Sequence, residues 1–478
     1  MTFTSLHFLL FFPAVVIIYY LLPQKVRWGF LLIASYFFYI NIKPVYAILL
    51  AGVTLTTYLF TRLIDRAKSE RNKKRLLIAD VVLTLFPLFF FKYFSMVNHT
   101  IIAMLQQVGI HWLLPDITFI LPVGISFYTF MAIGYAIDVY NEDVTVEKNL
   151  AVVALFLSFF PVVLSGPIER AGNMLSQFRA RLNFNYPLAV KGLKLMLWGY
   201  FMKLVIADRI AIYTEQVFRS VDLQPGTSLL MATILYPVQV YGDLGGYSLI
   251  AIGCANIMGI NVIQNFNRPF FATTMSKFWQ RWHISLISWL TDYVFTPLSY
   301  SFRSFKISGI MMALMLTFII SGIWHGAQTT FIIWGAIQGA VLSFEALTMK
   351  RRSLFEKKFG LKDKWWYLLL NTAIIYMLFA FSLLFGGAVG SISKTITVFV
   401  KVFTDFRHPY VDRETLVYAF IGIFILFISE IRDEYFPGKF KIYDSKHIAV
   451  RWPAYLLTLA IIVFAGVYSG SKFIYFQF

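Results

Sequence analysis

Charged residues and cysteine are both scarce in this sequence of 478 residues. Only 14% of the residues are charged, against roughly 25% in soluble globular proteins. With 59% hydrophobic residues and a mean hydropathy of +0.69, the composition argues against a soluble enzyme or a nucleic-acid-binding protein. A content of 18% aromatic residues excludes a disordered chain. The single cysteine, Cys254, leaves no intrachain disulfide framework and no cysteine-based metal site.

Several familiar motifs are also missing. The sequence contains no P-loop, no dinucleotide-binding fingerprint, no HExxH and no GxSxG. Two histidines about forty residues apart lack a third convergent ligand, so no metal site is predicted. Without an internal repeat or a long linker, residues 1–478 are interpreted as a single integral-membrane domain.

Apolar stretches of membrane-spanning length account for most of the chain. A helical span needs about 20 apolar residues, and the sequence predicts an all-α polytopic protein with roughly 11 to 14 membrane segments, some short, re-entrant or interfacial. The candidate segments are 5–22, 28–42, 45–61, 76–93, 117–137, 150–167, 187–207, 227–241, 246–260, 307–324, 329–349, 366–387, 413–429 and 452–469, with 97–112 as a doubtful addition.

The positive charge of +18 is concentrated in two short segments. Residues 62–75 and 350–364 each carry seven basic and two acidic residues, so each contributes +5, and together they contribute +10. Short basic loops face the cytoplasm in membrane proteins. Three apolar stretches precede the first basic segment, which predicts an N-terminus outside the cytoplasm.

Two histidines differ from the other five, which fall near segment ends or in loops. His325 ends an uncharged apolar run and is flanked by Gly322 and Gly326, which permit close backbone approach. It is either a packing histidine bonded to a neighbouring helix or a general base. His283 lies in a stretch that is predicted to form an amphipathic helix, either as a passive interfacial residue or as part of a site.

A third polar feature interrupts the apolar stretches near residue 243. Asp243 is surrounded by Gly242, Gly245 and Gly246. Irregular backbone at membrane depth is tolerated where it is buried in protein or lines a cavity. The segment is therefore either a cavity wall or a plain loop turn.

Four sequence blocks together resemble the membrane-bound O-acyltransferase (MBOAT) family, and most closely its bacterial branch of alginate O-acetyltransferase-like proteins. They are Tyr241-Gly-Asp-Leu-Gly-Gly-Tyr-Ser, Asn265-Phe-Asn-Arg-Pro-Phe, Phe278-Trp-Gln-Arg-Trp-His-Ile-Ser-Leu and Ser321-Gly-Ile-Trp-His-Gly-Ala. The block Lys203-Leu-Val-Ile-Ala-Asp supports the resemblance. The similarity is clearest over residues 120–350.

The resemblance implies a multi-helix fold around a transmembrane tunnel, in the bacterial cytoplasmic (inner) membrane. It implies an O-acyltransferase that moves an acetyl group from cytoplasmic acetyl-CoA to a hydroxyl of an exported polysaccharide or peptidoglycan, directly or through an extracytoplasmic esterase-like partner. Acetyl-CoA is a donor substrate, and no cofactor is expected.

By position, His325 corresponds to the essential histidine of the family and His283 to its second polar site. The substrate-binding or tunnel residues expected on the same basis are Trp324, Trp282, Asp243, Tyr247, Ser248, Asn265, Gly322 and Gly326.

The sequence also departs from the family. Gly245 stands where a serine is usual, Gln328-Thr329-Thr330 replaces Asn-Trp-Thr, and Gln338-Gly339 replaces a later His-Gly. These departures affect acceptor or partner contacts rather than the core chemistry. Two alternatives stay open: D-alanyl transfer towards teichoic acid, and transport or flipping of a lipid-linked saccharide.

Overall fold

The computed structural model describes residues 1–109 and 121–468, and these residues form helices without a β-strand. The predicted all-α class is therefore confirmed. The helices of the first half are α1 (Leu6–Leu21), α2 (Gln24–Ile40), α3 (Pro44–Arg66), α4 (Glu70–Gln107), α5 (Ile125–Tyr140), α6 (Leu150–Ser158), α7 (Ala171–Arg179), α8 (Tyr186–Tyr200), α9 (Asp208–Arg219) and α10 (Gly226–Val240). Those of the second half are α11 (Gly246–Ile257), α12 (Met275–Trp279), α13 (Ile284–Leu290), α14 (Thr296–Ser301), α15 (Lys306–His325), α16 (Thr329–Lys358), α17 (Trp365–Ser382), α18 (Ile392–Thr404), α19 (Arg413–Tyr435) and α20 (Ile448–Ala465).

π-Helical turns extend or join several of these helices. They lie at Phe201–Ala207, Tyr241–Gly245 and Thr291–Phe295, whereas the chain after α17 bends at Gly386 and Gly387, whose backbone is not helical. A π-turn inserts an extra residue into a helix and is frequent at functional sites.

Seven helical segments in the described part of the chain are long and apolar enough to cross a membrane, which agrees with the predicted polytopic protein. They are Pro44–Arg66, Glu70–Gln107, Arg303–His325, Thr329–Lys358, Trp365–Ser382, Arg413–Tyr435 and Ile448–Ala465. The helices α1 and α5 are shorter but also apolar. Shorter and broken helices account for most of the other predicted segments.

Several predicted boundaries differ from those of the structure. The stretches 76–93 and 97–109 belong mainly to one helix of 38 residues, α4, in which Pro87 is accommodated. Residues 110–112 of the doubtful segment lie outside the described residues, as do His111, the start of segment 117–137 and the end of segment 452–469. Most of each basic segment lies in helices rather than in loops. Helices α3 and α4 leave only residues 67–69 between them, and α16 continues to Lys358.

The described residues group into two compact units. The first comprises Met1–Leu193 and Ala251–Ile263, and the second comprises Lys194–Ile250 and Gln264–Phe478. The interpretation of the chain as a single domain stays a prediction.

Within the first unit, α3, α4 and α5 pack together, and α6 packs against α2 and α3. An aromatic cluster fills the centre of this packing: the ring of Phe160 lies 5.4 Å from that of Phe11 and 5.7 Å from that of Phe38. The backbone N–H of Phe160 donates to Ser35 Oγ at 3.1 Å. A buried hydrogen bond thus fixes the position of Phe160 relative to α2.

Within the second unit, helices α15 and α16 form a closely packed hairpin. A Cβ atom on Gly322 would lie 2.3 Å from the backbone oxygen of Phe331, and one on Gly335 would lie 2.2 Å from that of Phe318. Glycine is therefore required at both positions for the two backbones to approach. This packing fixes the end of α15, where His325 lies.

Candidate active site

His325 is the last residue of α15, and Gly326 follows it in an extended conformation. Aromatic rings surround the imidazole. Its centroid lies 5.0 Å from that of Trp334, edge to face, and 6.4 Å from the nearly parallel ring of Phe331. Both rings belong to α16, so the tight hairpin determines the surroundings of His325.

His283 lies at a break in the helix that the sequence predicted. Helix α12 ends at Trp279, and α13 begins at Ile284, immediately after His283. The φ of His283 is 46°, in the left-handed region that residues other than glycine rarely adopt. The prediction of one continuous amphipathic helix was therefore wrong. Periodicity alone does not reveal such a break when the residues on both sides keep helical spacing.

One cavity brings the two histidines together. Both His283 and His325 line this cavity, which is open at its mouth. The Trp324 ring lies close to both imidazoles, 6.5 Å from that of His283 and 4.7 Å from that of His325. Besides the two histidines, the wall consists of Tyr236, Val240, Trp279, Trp282, Leu286, Phe331, Trp334, Phe379, Leu383 and Gly386.

The wall of this cavity is apolar and aromatic. Apart from Tyr236, the two imidazoles are the ionisable groups among the described residues that line it. Burial lowers the pKa of His283 from its ordinary 6.5 to about 3, so this imidazole is neutral at pH 7. A neutral imidazole offers one N–H donor and one acceptor nitrogen. In the described chain, no group of three or more His, Cys, Asp or Glu side chains is placed to hold a metal ion.

Asp243 takes part in a buried ion cluster instead of lining the cavity. Lys203 Nζ lies 2.7 Å from its carboxylate and 2.6 Å from that of Asp208, and all three side chains are 3–4% exposed. The cluster connects the π-turn Tyr241–Gly245 to the π-turn Phe201–Ala207. The alternative of a plain loop turn was wrong, because α10 continues into α11 through this π-turn.

Six more predicted residues are not among those that line this cavity: Trp324, Gly322, Gly326, Tyr247, Ser248 and Asn265. The ring of Tyr247 lies 5.6 Å from Lys203 Nζ, beside the ion cluster. Ser248 Oγ accepts a hydrogen bond from Asn265 Nδ2 at 2.9 Å, and both residues are buried. Trp282, in contrast, lines the cavity, with its ring stacked 5.4 Å from that of Phe278.

At Gly322 and Gly326, packing contacts leave no room for a larger residue. A Cβ on Gly326 would lie 2.2 Å from Cδ2 of Phe331, the same residue whose backbone meets Gly322. Phe331 lines the cavity. The two glycines therefore influence the site through the position of Phe331.

Sequence reasoning missed much of the cavity wall. Phe331 and Trp334 follow His325 after a connection of only three residues, so a hairpin argument could have found them. Phe379, Leu383 and Gly386 come from a distant segment, and no local pattern marks them as site residues.

Gln338, one of the departures from the family pattern, forms hydrogen bonds to a residue of the cavity wall and to a residue of α17. Its Nε2 donates to Ser382 Oγ at 2.7 Å, and its Oε1 accepts from Trp279 Nε1 at 3.3 Å. Gln338 is completely buried. It therefore fixes one indole of the cavity wall and connects α16 to α17.

Comparison with known proteins gives a consistent result. The sequence model of the MBOAT, membrane-bound O-acyltransferase family matches residues 146–390. A probable alginate O-acetylase, AlgI, of Pseudomonas aeruginosa is 37% identical over 62% of this chain and 57% of the relative. A peptidoglycan O-acetyltransferase of Helicobacter pylori is 31% identical over 56% of this chain and 55% of the relative.

More distant similarity extends to a teichoic acid D-alanyltransferase of Streptococcus thermophilus. It is 28% identical over 49% of this chain and 54% of the relative. The chain thus spans a little over half the length of these three relatives.

Proposed function

Since this chain belongs to the membrane-bound O-acyltransferase family, we propose that it transfers an acetyl group from acetyl-CoA to a hydroxyl of an exported polysaccharide or peptidoglycan. The observation that carries this proposal is the cavity shared by His283 and His325, with Trp324 close to both. Transfer from a thioester to an alcohol needs a base, a stabiliser for the oxyanion and a site that positions both substrates. An aromatic cavity with two imidazoles supports all three requirements.

In the proposed reaction, His325 accepts the proton of the acceptor hydroxyl as its oxygen attacks the thioester carbonyl. The tetrahedral intermediate collapses with cleavage of the carbon–sulfur bond. The ester is formed, and the thiolate leaves with the proton that His325 returns. His283, as a neutral imidazole with an N–H donor, stabilises the oxyanion or orients His325. No acyl-enzyme is required.

The membrane separates the two substrates in this proposal. The basic helix ends at residues 62–75 and 350–364 face the cytoplasm, and the N-terminus lies outside the inner membrane. His325 then lies at the end of α15 away from that basic face, so the acetyl thioester must reach it through a tunnel. An extracytoplasmic partner protein passes the group on where the acceptor is remote.

A second candidate is the transfer of D-alanine towards teichoic acid. The similarity to the teichoic acid D-alanyltransferases supports it, although that similarity covers less of the chain than the similarity to the acetylases. The histidine chemistry is the same for both donors, so the donor has to be decided by experiment.

The test is turnover of radiolabelled acetyl-CoA by the purified protein in liposomes. We expect release of free CoA and acetylation of an added polysaccharide or peptidoglycan fragment, lost in His325→Ala and kept in His447→Ala, which changes an exposed histidine. Turnover of a D-alanyl thioester alone would favour the second candidate. Movement of a lipid-linked saccharide without thioester turnover would identify a transporter and contradict both candidates.

A further inference from the structure

We propose that Asn265 is a positioning residue that holds the backbone of His283 in the conformation that directs its imidazole into the cavity. This inference rests on the acyl transfer proposed above. Asn265 is 1% exposed and is not part of the cavity wall. Any effect of Asn265 on the reaction must therefore be transmitted through a neighbour, and its hydrogen bonds identify that neighbour as the segment of His283.

The conformation of His283 needs external support. Its left-handed backbone costs free energy in a residue other than glycine, and such strain persists only where surrounding contacts enforce it. The residues that follow are the first of α13, whose N–H groups have no acceptor within the helix. A hydrogen-bond acceptor at this point stabilises both the strained turn and the start of the helix.

Asn265 supplies hydrogen-bond acceptors for Ile284 and Ser285, the two residues that follow His283. Its backbone oxygen accepts from Ile284 N at 2.8 Å. Its side-chain Oδ1 accepts from Ser285 N at 3.2 Å and from Ser285 Oγ at 2.8 Å. The two residues after His283 are thus bound to a single asparagine.

The asparagine is itself fixed on a third element. Its Nδ2 donates to Ser248 Oγ, which belongs to α11. On the other side of His283, Arg281 accepts a hydrogen bond from Asn267 N through its backbone oxygen, at 2.9 Å. The chain is therefore tied to residues 265–267 both before and after His283. A displacement of about 1 Å at a reacting group can cost about 10²-fold in rate.

A double-mutant cycle on kcat separates positioning from general stability. We expect Asn265→Ala to lower kcat by about 10- to 100-fold with little change in KM. In His283→Ala, the same Asn265→Ala substitution should cause no further loss, because the group that it positions is already gone. Ser343→Ala, which removes a partly buried hydrogen bond from Ser343 Oγ to Met311 O, is the control and should keep wild-type kcat.

A chemical measurement tests the same proposal without relying on turnover. Diethyl pyrocarbonate modifies neutral imidazoles, and buried His283 should react slowly in the wild type. In Asn265→Ala, its modification rate should rise, while that of exposed His447 stays constant. If Asn265→Ala does not insert into the membrane, Ser248→Ala is the alternative, because it removes only the hydrogen bond from Asn265 Nδ2 to Ser248 Oγ. It should lower kcat and raise the modification rate of His283, each by less than Asn265→Ala.

Additive losses in the cycle, or an unchanged modification rate of His283, would overturn the proposal. A wild-type protein that turns over no acyl thioester would refute the proposed function and with it any role of Asn265 in that reaction. The modification rates would then still decide whether Asn265 holds His283 in place.

Discussion

His325 and His283 reach the same cavity from elements of opposite kinds. His325 ends a regular helix of 20 residues, and glycine contacts with α16 fix its place. His283 sits in a strained turn between helices of five and seven residues, and hydrogen bonds to Asn265 fix the chain after it. One imidazole is thus positioned by apolar packing and the other by polar contacts. Substitutions that disturb the packing around His325 should therefore have different effects from substitutions that remove the hydrogen bonds near His283.

The largest effect is expected from removal of the imidazoles themselves. His325→Ala should lower acetyl-CoA turnover by roughly 10²- to 10⁴-fold, the usual contribution of a general base. His283→Ala should lower it less, because a stabilising or orienting group is lost while the base is kept. Steady-state turnover of the two variants in liposomes measures the difference.

Equal and complete loss in both variants would contradict this division of roles. It would mean that the two imidazoles act as one unit or that His283 is the base. Membrane insertion of both variants, followed by detergent size-exclusion chromatography, shows whether folding is retained.

A smaller effect is expected when the packing that supports His325 is broken. Gly322→Ala places a Cβ 2.3 Å from the backbone oxygen of Phe331, which must shift. We expect a loss of stability of about 1–3 kcal/mol, typical of overpacking. Thermal unfolding in detergent measures it.

Gly52→Ala is the control for this substitution, because an added Cβ there meets no atom within 4 Å. It lies inside α3, where alanine favours the helix by roughly 0.5–1 kcal/mol. The two substitutions should therefore shift the unfolding temperature in opposite directions. A destabilisation by Gly52→Ala as large as that by Gly322→Ala would contradict the packing argument.

A pH dependence of stability should come from His283. Its pKa is about 3 in the folded protein and 6.5 ordinarily, so the unfolded chain binds more protons between these values. This contribution makes the free energy of unfolding fall as the pH drops below about 6.5, by up to about 2 kcal/mol at pH 5. In His283→Asn, the free energy of unfolding should fall less on acidification, because this contribution is absent.

Unfolding temperatures at pH 7.5 and pH 5 measure this effect in the two proteins. A wild-type and a His283→Asn protein with the same loss on acidification would show that His283 is not buried as a neutral imidazole. His447→Asn, at an exposed position, serves as the reference.

The smallest perturbation tests the orientation of the two basic helix ends. Single cysteines at the exposed positions Lys68 and Lys357, in a Cys254→Ser background, should resist impermeant thiol reagents in intact cells. Lysis should make both reactive, while activity stays at the wild-type level. Labelling of either position from outside would overturn the proposed topology and the need for a tunnel from the cytoplasm.

Long apolar helices were the part of the fold that could be predicted from sequence. The segments 307–324 and 329–349 coincide closely with α15 and with most of α16, because a continuous apolar run has few other solutions in a membrane. Helix α18 was not predicted, since it is too short and too amphipathic to be recognised as a span. The π-turns leave no periodic signal.

The candidate site was predicted only in part, because a sequence pattern reveals polar residues in apolar stretches but not contacts between distant segments. His325 ends an apolar run, and His283 lies in a tryptophan-rich amphipathic stretch. Both features are visible in a single sequence. Phe379 and Leu383 are apolar residues in an apolar helix, and only tertiary packing brings them to the cavity wall. The break at His283 depends on hydrogen bonds to Asn265, a contact between segments that local propensity cannot anticipate.

The buried cluster of Lys203, Asp208 and Asp243 has a consequence for how the protein is made. An unpaired lysine or aspartate near the centre of a membrane helix costs about 2.5–3.5 kcal/mol during insertion. Lys203 and Asp208 lie on one apolar stretch and form an ion pair there, whereas Asp243 lies on the next stretch and meets Lys203 only when the two stretches pack together. The carboxylate of Asp243 is therefore stabilised only once its stretch packs against the stretch of Lys203, so we expect the two stretches to fold in the membrane as a pair.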